Sequence, residues 1–493
     1  MRKNSLKFFG LIFFVAFSFI SCGNNDVNNE SAIIENRAAS FLDEEADLKD
    51  ELVFYSMAED YKLSEEAVQN DIKSFLALKL IEEDDSQLDF SRAITIVENE
   101  SEMKKVKTFS KSLAKYNTSS RNANAFEEVN ISVYEITNDK GKELAVTSDD
   151  ERIGSLLCLL EDVEYDDDVE NPVLEIFLSN LDEYVENLSN EIESITEEDY
   201  ELFKEKYNIT DEEIAQAKAE YENAQNARKF WGPEAWSSWS ICDINLNNLI
   251  SKTKWDQGNP YNAAVVAMLG KNYPTGCGPT AVAQIMAYHE WPLSYGRSDL
   301  SELKNAWPLA ADWDGTYDWA EMTANPYGDN LSDLGKVGVG ALMYEVGMGC
   351  DAEYKKTGTS TTLSKMLSCL RNRGFSCDIA GFYDYKKISD SLHNNSPVIM
   401  FGKDKNATIG HFWIIDGSLK TERKRKYYVF WIPFTVTEEA KYVHCNYGWS
   451  GQDDEGTSYE YRGQGYYKSG VFETSNGNYN SSLTISTNIR PNK

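Results

Sequence analysis

The 493-residue chain carries 81 acidic against 48 basic side chains, a formal net charge of −33. With 41% hydrophobic and 12% aromatic residues it is long and apolar enough for two or three domains with sizeable cores. The acid surplus sits almost wholly in residues 23–228, which hold 53 acidic and 19 basic side chains; residues 229–493 hold 28 and 26. That step marks a boundary near residue 230 and argues against nucleic acid or anionic lipid as a partner of the N-terminal half.

At the N-terminus, Arg2, Lys3 and Lys7 precede the apolar stretch Phe8–Ile20, which is too short for an ordinary membrane-spanning helix. This reads as an export signal over residues 1–21. Phe19-Ile20-Ser21-Cys22 has the form of a bacterial lipobox, so Cys22 is expected to become a lipidated N-terminus. The plainer alternative is a cysteine beside an ordinary signal-cleavage site. Polar residues from Gly23 to about 50 read as a tether, giving 22–50 for that segment. The expected location is outside the cytoplasm, on a bacterial membrane (periplasmic or cell surface), with release after processing left open.

Residues 51–230 read as a folded acidic α+β segment. An amphipathic helix starts at Ser64, with Val68, Ile72, Phe75 and Leu76 on one face. A second, less regular helix is expected over Ser91–Lys115. Val129–Val146 reads as a hairpin turning at Asn138-Asp139-Lys140-Gly141, and Gly154–Leu160 as a further strand. Asp166-Asp167-Asp168 reads as an acidic loop. Pro172 opens a long helix whose stripe is Phe177, Leu181, Tyr184, Val185, Leu188 and Ile192, and another helix is expected over Glu212–Asn226.

In residues 231–493 the most informative stretch is Thr275-Gly276-Cys277-Gly278-Pro279, ahead of an apolar helical segment. A cysteine at a helix start meets unpaired amide N–H groups and the positive end of the helix dipole. That setting favours thiolate and suits acyl transfer, because the same N–H groups can hold an oxyanion. A thiol nucleophile needs a base, and there are four histidines. His289 follows Cys277 by twelve residues on the same helix, about 18 Å away, which is too far. His393 reads as an exposed surface histidine at a helix end. His411, entering the apolar run Phe412-Trp413-Ile414-Ile415, reads as a rigidly placed residue at the mouth of a buried strand. His444 is the reserve. Strands are expected near 397–401, 411–416, 426–432 and 441–446. Eight cysteines include no Cys-x-x-Cys pair, so no zinc ribbon is expected, and their spacing establishes no disulfide.

Four segments in the same chain order carry a family resemblance. Gly276-Cys277 through Ala287-Tyr288-His289, then Trp291-Pro292, resembles the nucleophile segment of the streptopain family of papain-like bacterial cysteine proteases. Gln257-Gly258-Asn259-Pro260-Tyr261-Asn262 resembles its oxyanion-hole segment. Gly410-His411 with Ile414-Ile415-Asp416-Gly417 resembles its catalytic-histidine strand. Asn446-Tyr447-Gly448-Trp449-Ser450-Gly451 resembles its Asn-Trp-Gly-Trp-Gly-Gly segment, with Tyr447 as a departure. Ser132–Thr137 and Ser148–Arg152 resemble parts of the family's prosegment.

The resemblance implies an α+β fold: a papain-like catalytic domain over 231–493, preceded by an inhibitory prosegment over 51–230. It implies Cys277 as nucleophile, His411 as base and then acid, and Gln257 as an oxyanion donor. Asn446 ranks first as the residue orienting the imidazole, with Tyr447 and Trp449 as alternatives. No metal or organic cofactor is required. The implied partners are protein or peptide substrates, the chain's own prosegment, and a membrane through lipid on Cys22. The implied product is a zymogen of a cysteine endopeptidase, cut between about 225 and 242 near Ala227-Arg228-Lys229-Phe230. Arg423-Lys424-Arg425-Lys426 reads as a solvated loop and a second candidate cleavage site. Two rivals remain: a transglutaminase-like acyltransferase with the same Cys-His chemistry, and a non-catalytic surface binding protein on the same scaffold.

Overall fold

The computed structural model describes residue 53 and residues 62–83, 88–117, 122–139, 141–163, 165, 172–226, 240–245, 249–328, 330–356, 358–403, 410–429, 432–449, 464–469, 473–474, 477–478 and 481–492. Cys22, the export signal, the tether, the Asp166–Asp168 loop, the boundary at 230 and Ala227–Phe230 lie outside these residues.

In the N-terminal half, helix α1 (Glu65–Glu83) starts where expected, with the Ser64 hydroxyl accepting from the Ala67 amide. Its predicted face, Val68, Ile72, Phe75 and Leu76, is buried. Helix α2 (Phe90–Glu100) is capped by Asp89 and stops at Ser101. The longer helix expected to Lys115 is not formed; residues Glu102–Asn117 are strand β1. The reason is tertiary. β1 pairs antiparallel with β2 (Asn122–Asn138) along almost its whole length, from Glu102↔Thr137 to Asn117↔Asn122. A ladder of that length outweighs a weak local helical pattern. The expected hairpin follows as β2 and β3 (Gly141–Ser148), and the expected strand as β4 (Leu156–Glu161). Helix α3 (Pro172–Glu193) opens on its proline and buries Leu181, Val185 and Ile192. Helix α4 (Glu197–Lys206), with a Thr196–Asp199 capping box, escaped the sequence reading. Helix α5 (Asp211–Asn226) matches expectation.

The C-terminal half begins with β5 (Ser240–Asn245) and α6 (Ala263–Leu269). It continues with α7 (Cys277–Tyr288), α8 (Asp333–Gly349), α9 (Leu363–Asn372), β6 (Gly381–Phe382) and α10 (Tyr385–His393). It ends in β7 (Val398–Lys403), β8 (Gly410–Val429), β9 (Ile432–Asn446), β10 (Gly465–Lys468) and β11 (Ser481–Ser486). α7 and α8 are buried on nearly all sides, and with the aromatic residues of 295–319 they form one core against β8. The α+β class holds. No helix of the described residues is long and apolar enough to cross a membrane.

One antiparallel sheet runs through both halves, in the order β1-β2-β3-β4-β10-β9-β8-β7-β11-β6, with β5 paired to β8. The seam is β4 against β10, Leu160↔Gly465 to Cys158↔Tyr467. Side chains close over it. Phe75 of α1 meets Tyr442 and Tyr466 edge-on at 5.0 and 5.2 Å between ring centroids. The Tyr442 hydroxyl donates to the Leu156 carbonyl at 3.0 Å.

Charge complements this seam. Arg423, expected in a solvated loop, lies in strand β8 and is only 3% exposed. It pairs with Asp71 of α1 at 3.0 Å and with Glu151 at 3.3 Å. The basic run is therefore strand rather than loop, and its first arginine is spent on the N-terminal half. Nearby, Glu161 of β4 accepts Lys79 at 2.6 Å, lies 3.4 Å from His444 Nε2 and 3.7 Å from Lys254. His444 Nδ1 is 2.5 Å from Asp416, and Lys79 also reaches Glu143 at 2.5 Å. The burial that would otherwise neutralise these groups is overcome by their mutual attraction. Glu161 is held well below the usual carboxylate range by Lys79, His444 and Lys254, and His444 is raised to about 9, chiefly by Asp416 and then Glu161.

Replacing Glu161 by alanine removes one carboxylate from three cations, each of which keeps a second acidic partner or solvent. We expect a loss of about 3 kcal/mol in the unfolding free energy of the intact chain. The His444 share has a defined sign: raised from 6.5 to about 9, it stabilises fully below pH 6.5 and is lost as pH rises through about 9. Urea titrations of wild type and Glu161→Ala at pH 6.5 and 9.5 check both; the difference between the proteins should shrink at the higher pH.

Candidate active site

Cys277 is the first residue of α7, and Gly276 before it has φ of +94°, a conformation that disfavours side chains. A Cβ at Gly276 would stand 2.7 Å from Thr359 Cβ, and one at Gly278 would stand 2.5 Å from Thr361 Cγ2. Both glycines flanking the cysteine are thus needed: one to turn into the helix, both to let the 359–361 segment close against it. The Thr275 and Thr280 hydroxyls meet at 2.9 Å beneath the turn.

The sulfur faces the amide N–H groups of Gly278, of Cys277 itself and of Phe412. The last is the decisive contact, because Phe412 is the neighbour of His411 on β8. The pairing of β8 with β7, Phe401↔Phe412 and Gly402↔His411, sets that strand's register. Residues 134 positions apart are thereby brought together. The His411 ring is 5% exposed, and Nε2 lies 2.8 Å from the Tyr447 carbonyl oxygen. A carbonyl only accepts, so Nε2 carries the proton and Nδ1 is the basic nitrogen. The Trp449 ring covers the imidazole at 4.1 Å between centroids and 30° between planes.

The third position therefore differs from the ranking drawn from sequence. Asn446 makes no hydrogen bond to His411. Its amide donates to the Thr253 carbonyl (3.3 Å) and to Gln284 Oε1 (3.2 Å), and its oxygen accepts the Gly448 N–H (3.1 Å). It shapes the turn that delivers the Tyr447 carbonyl and the Trp449 ring. Gln284, two turns along α7 and 1% exposed, was not singled out from sequence. Its oxygen also accepts the Trp255 N–H at 3.1 Å. One carboxamide thus ties the 253–257 segment, helix α7 and the 446–449 turn. Nothing in a single sequence marks it; a buried glutamine on an apolar helix is the only available hint.

Gln257 is held beside the Cys277 turn by its carbonyl, which accepts the Thr275 N–H at 2.9 Å. Its half-buried side-chain amide makes no hydrogen bond among the described residues, which leaves it available to a ligand. The other histidines are elsewhere. His289 Nε2 lies 3.0 Å from the Ile489 carbonyl, His393 is exposed at the end of α10, and His444 belongs to the charged seam. Among the described residues no cluster of acidic, histidine and cysteine side chains could hold a metal ion.

Residues 255–456 match the model of the Peptidase C10 family. Streptopain of Streptococcus pyogenes is 27% identical over 229 residues, which are 41% of this chain and 52% of the relative; the serotype M1 streptopain gives the same figures. The chain thus spans about half the length of the curated relatives it matches. Among solved structures, a prointerpain A fragment from Prevotella intermedia is 17% identical with a TM-score of 0.39, covering 78% of this chain and 100% of that one. The active interpain A cysteine protease is 20% identical with a TM-score of 0.34, covering 52% and 97%.

The electrostatics of this site correct one expectation. Burial pushes the Cys277 thiol up by more than the Phe412 amide, and then the helix-start amides of Gly278 and Cys277, pull it down, so the thiol lies above its ordinary range. Burial also lowers His411 to about 4, against the opposing pull of the Tyr447 carbonyl. In this state the pair is a neutral thiol beside a neutral imidazole, not an ion pair. We expect the Cys277 alkylation rate in the intact chain to climb about tenfold per pH unit from 6 to 8, as for a protonated thiol. A rate flat over that range, read by mass spectrometry after iodoacetamide, would mean a preformed ion pair instead.

Proposed function

We propose that the chain is the exported, lipid-anchored zymogen of a cysteine endopeptidase, with Cys22 as the lipid site and residues 51–230 as its inhibitory prosegment. The carrying observation is the Cys277 sulfur at a helix start, facing the amide beside His411, while the Tyr447 carbonyl fixes the proton on His411 Nε2.

The chemistry follows from these groups. His411 Nδ1 takes the thiol proton as Cys277 sulfur attacks the peptide carbonyl carbon, and a C–S bond forms. The carbonyl oxygen becomes an oxyanion, which the Cys277 N–H and the Gln257 carboxamide stabilise. The imidazolium gives its proton to the departing amine as the C–N bond breaks. Water, deprotonated by His411, then cleaves the thioester and releases the acid. The tilted Trp449 ring over the imidazole and the Tyr447 carbonyl keep the ring aimed throughout, and the carbonyl dipole favours the transient imidazolium.

The N-terminal half supports the zymogen reading through its shared sheet and its buried pairs with Arg423, His444 and Lys254. Cutting the connection between about 225 and 242 would make release possible. The printed name of the relative, streptopain, supports the peptidase reading.

After processing, the protein should hydrolyse casein. Cys277→Ala should lose about 10⁴-fold or more in kcat. Gln257→Ala should lose about 10²- to 10³-fold in kcat with little change in KM. Added 23–228 fragment should suppress the processed enzyme. Equal turnover by wild type and Cys277→Ala would discard the peptidase reading, and no suppression would discard the inhibitor role.

A further inference from the structure

Asp256 stands between two residues of the site, Trp255, fixed through its amide on Gln284, and Gln257. Its side chain is 8% exposed. Oδ1 accepts the Gln257 N–H at 2.6 Å, and the Gly258 N–H also faces the carboxylate. On the other side of Gln257, its carbonyl is held by the Thr275 N–H. Both peptide groups of Gln257 are therefore clamped, while its carboxamide stays uncommitted.

No cation among the described residues opposes Asp256; the two amides are its only favourable contacts. Lys254, two residues earlier, is committed to Glu161 and Asp162, and the hydroxyl of Tyr327 also binds Asp162. Burial without a counter-ion raises the carboxyl to about 6. A buried charge of this kind costs stability, and a neutral acceptor could bind the same two amides. What the charge adds is strength, since a hydrogen bond to an ionised acceptor is roughly twice as strong as a neutral one.

We propose that Asp256 is a positioning residue whose ionised carboxylate locks the Gln257–Gly258 turn, so that the Gln257 carboxamide points at the oxyanion. This rests on the peptidase reading above and adds a regulation to it. As pH falls through about 6, Asp256 takes up a proton, the turn slackens and turnover drops. The stability effect of the same group has the opposite sign. Its pKa is raised on folding, so the folded protein binds the proton more readily than the unfolded chain. This group therefore stabilises the fold as pH falls from about 6 toward 4.

The test uses the full-length chain, processed by incubation or, for a variant that does not process itself, by added wild-type enzyme. kcat and KM on a fluorogenic peptide are measured from pH 4.5 to 8, with melting temperature alongside. In wild type, kcat should fall a few-fold as pH drops through about 6 and then level off, KM should stay within about twofold, and the melting temperature should not fall in step. Asp256→Asn should lower kcat a few-fold and abolish the limb near pH 6. Asp256→Ala should lower kcat at least tenfold at every pH. An unchanged limb in Asp256→Asn overturns the proposal, as does a wild-type melting temperature that tracks kcat. If neither variant folds, the wild-type comparison decides alone. Wild-type protein without thiol-dependent hydrolysis at any pH would sink the peptidase reading and this inference with it; hydrolysis with an unchanged limb would sink only this one.

Discussion

The structure depends on one antiparallel sheet that the two halves of the chain build together. Three residues of β4 pair with three of β10, and through that seam the hairpins of the acidic half continue into the strands that carry His411 and His444. The backbone ladder fixes register, the Phe75–Tyr442–Tyr466 cluster excludes water from it, and the buried ions pair across it. Separating the halves would expose an edge strand and leave Arg423 and His444 with fewer partners in a dry setting. That is a large energetic barrier to separating the two halves.

The acidic composition of the first half has a specific side and a general side. Asp71, Glu151, Glu161 and Asp162 meet cations of the second half directly. Many other acids, such as Glu66 and Glu198, are simply exposed. The net charge therefore reports solubility for the most part, and only a few carboxylates convert it into recognition.

Within the site, weak individual bonds are made decisive by sharing. Gln284 and Asn446 are buried polar groups whose satisfaction requires three separate segments to be in place at once. Any one segment displaced would leave buried amides unpaired, a cost of about 1–3 kcal/mol each. The same burial that fixes the geometry also holds Cys277 and His411 in their neutral forms. Order and a resting, protonated thiol thus have a common cause.

The sequence by itself determined the parts whose physics is local. Gly276-Cys277-Gly278-Pro279 announces a helix start with a thiol at its positive end, and Gly410-His411 followed by apolar residues announces a histidine at a buried strand. The hairpin at Asn138–Gly141 and the stripe of α3 are equally local, set by turn chemistry and by period. Tertiary structure decided the rest. Residues 102–117 became strand because β2 offered a partner. Arg423 left its expected solvated loop because Asp71 and Glu151, some 350 and 270 positions away, neutralise it. Asn446 gave up the imidazole to Tyr447 and Trp449 because Gln284 claims its amide. Each of these outcomes is a competition among distant groups for one hydrogen bond, charge or ladder, and the winner is set by proximity that only the folded chain creates.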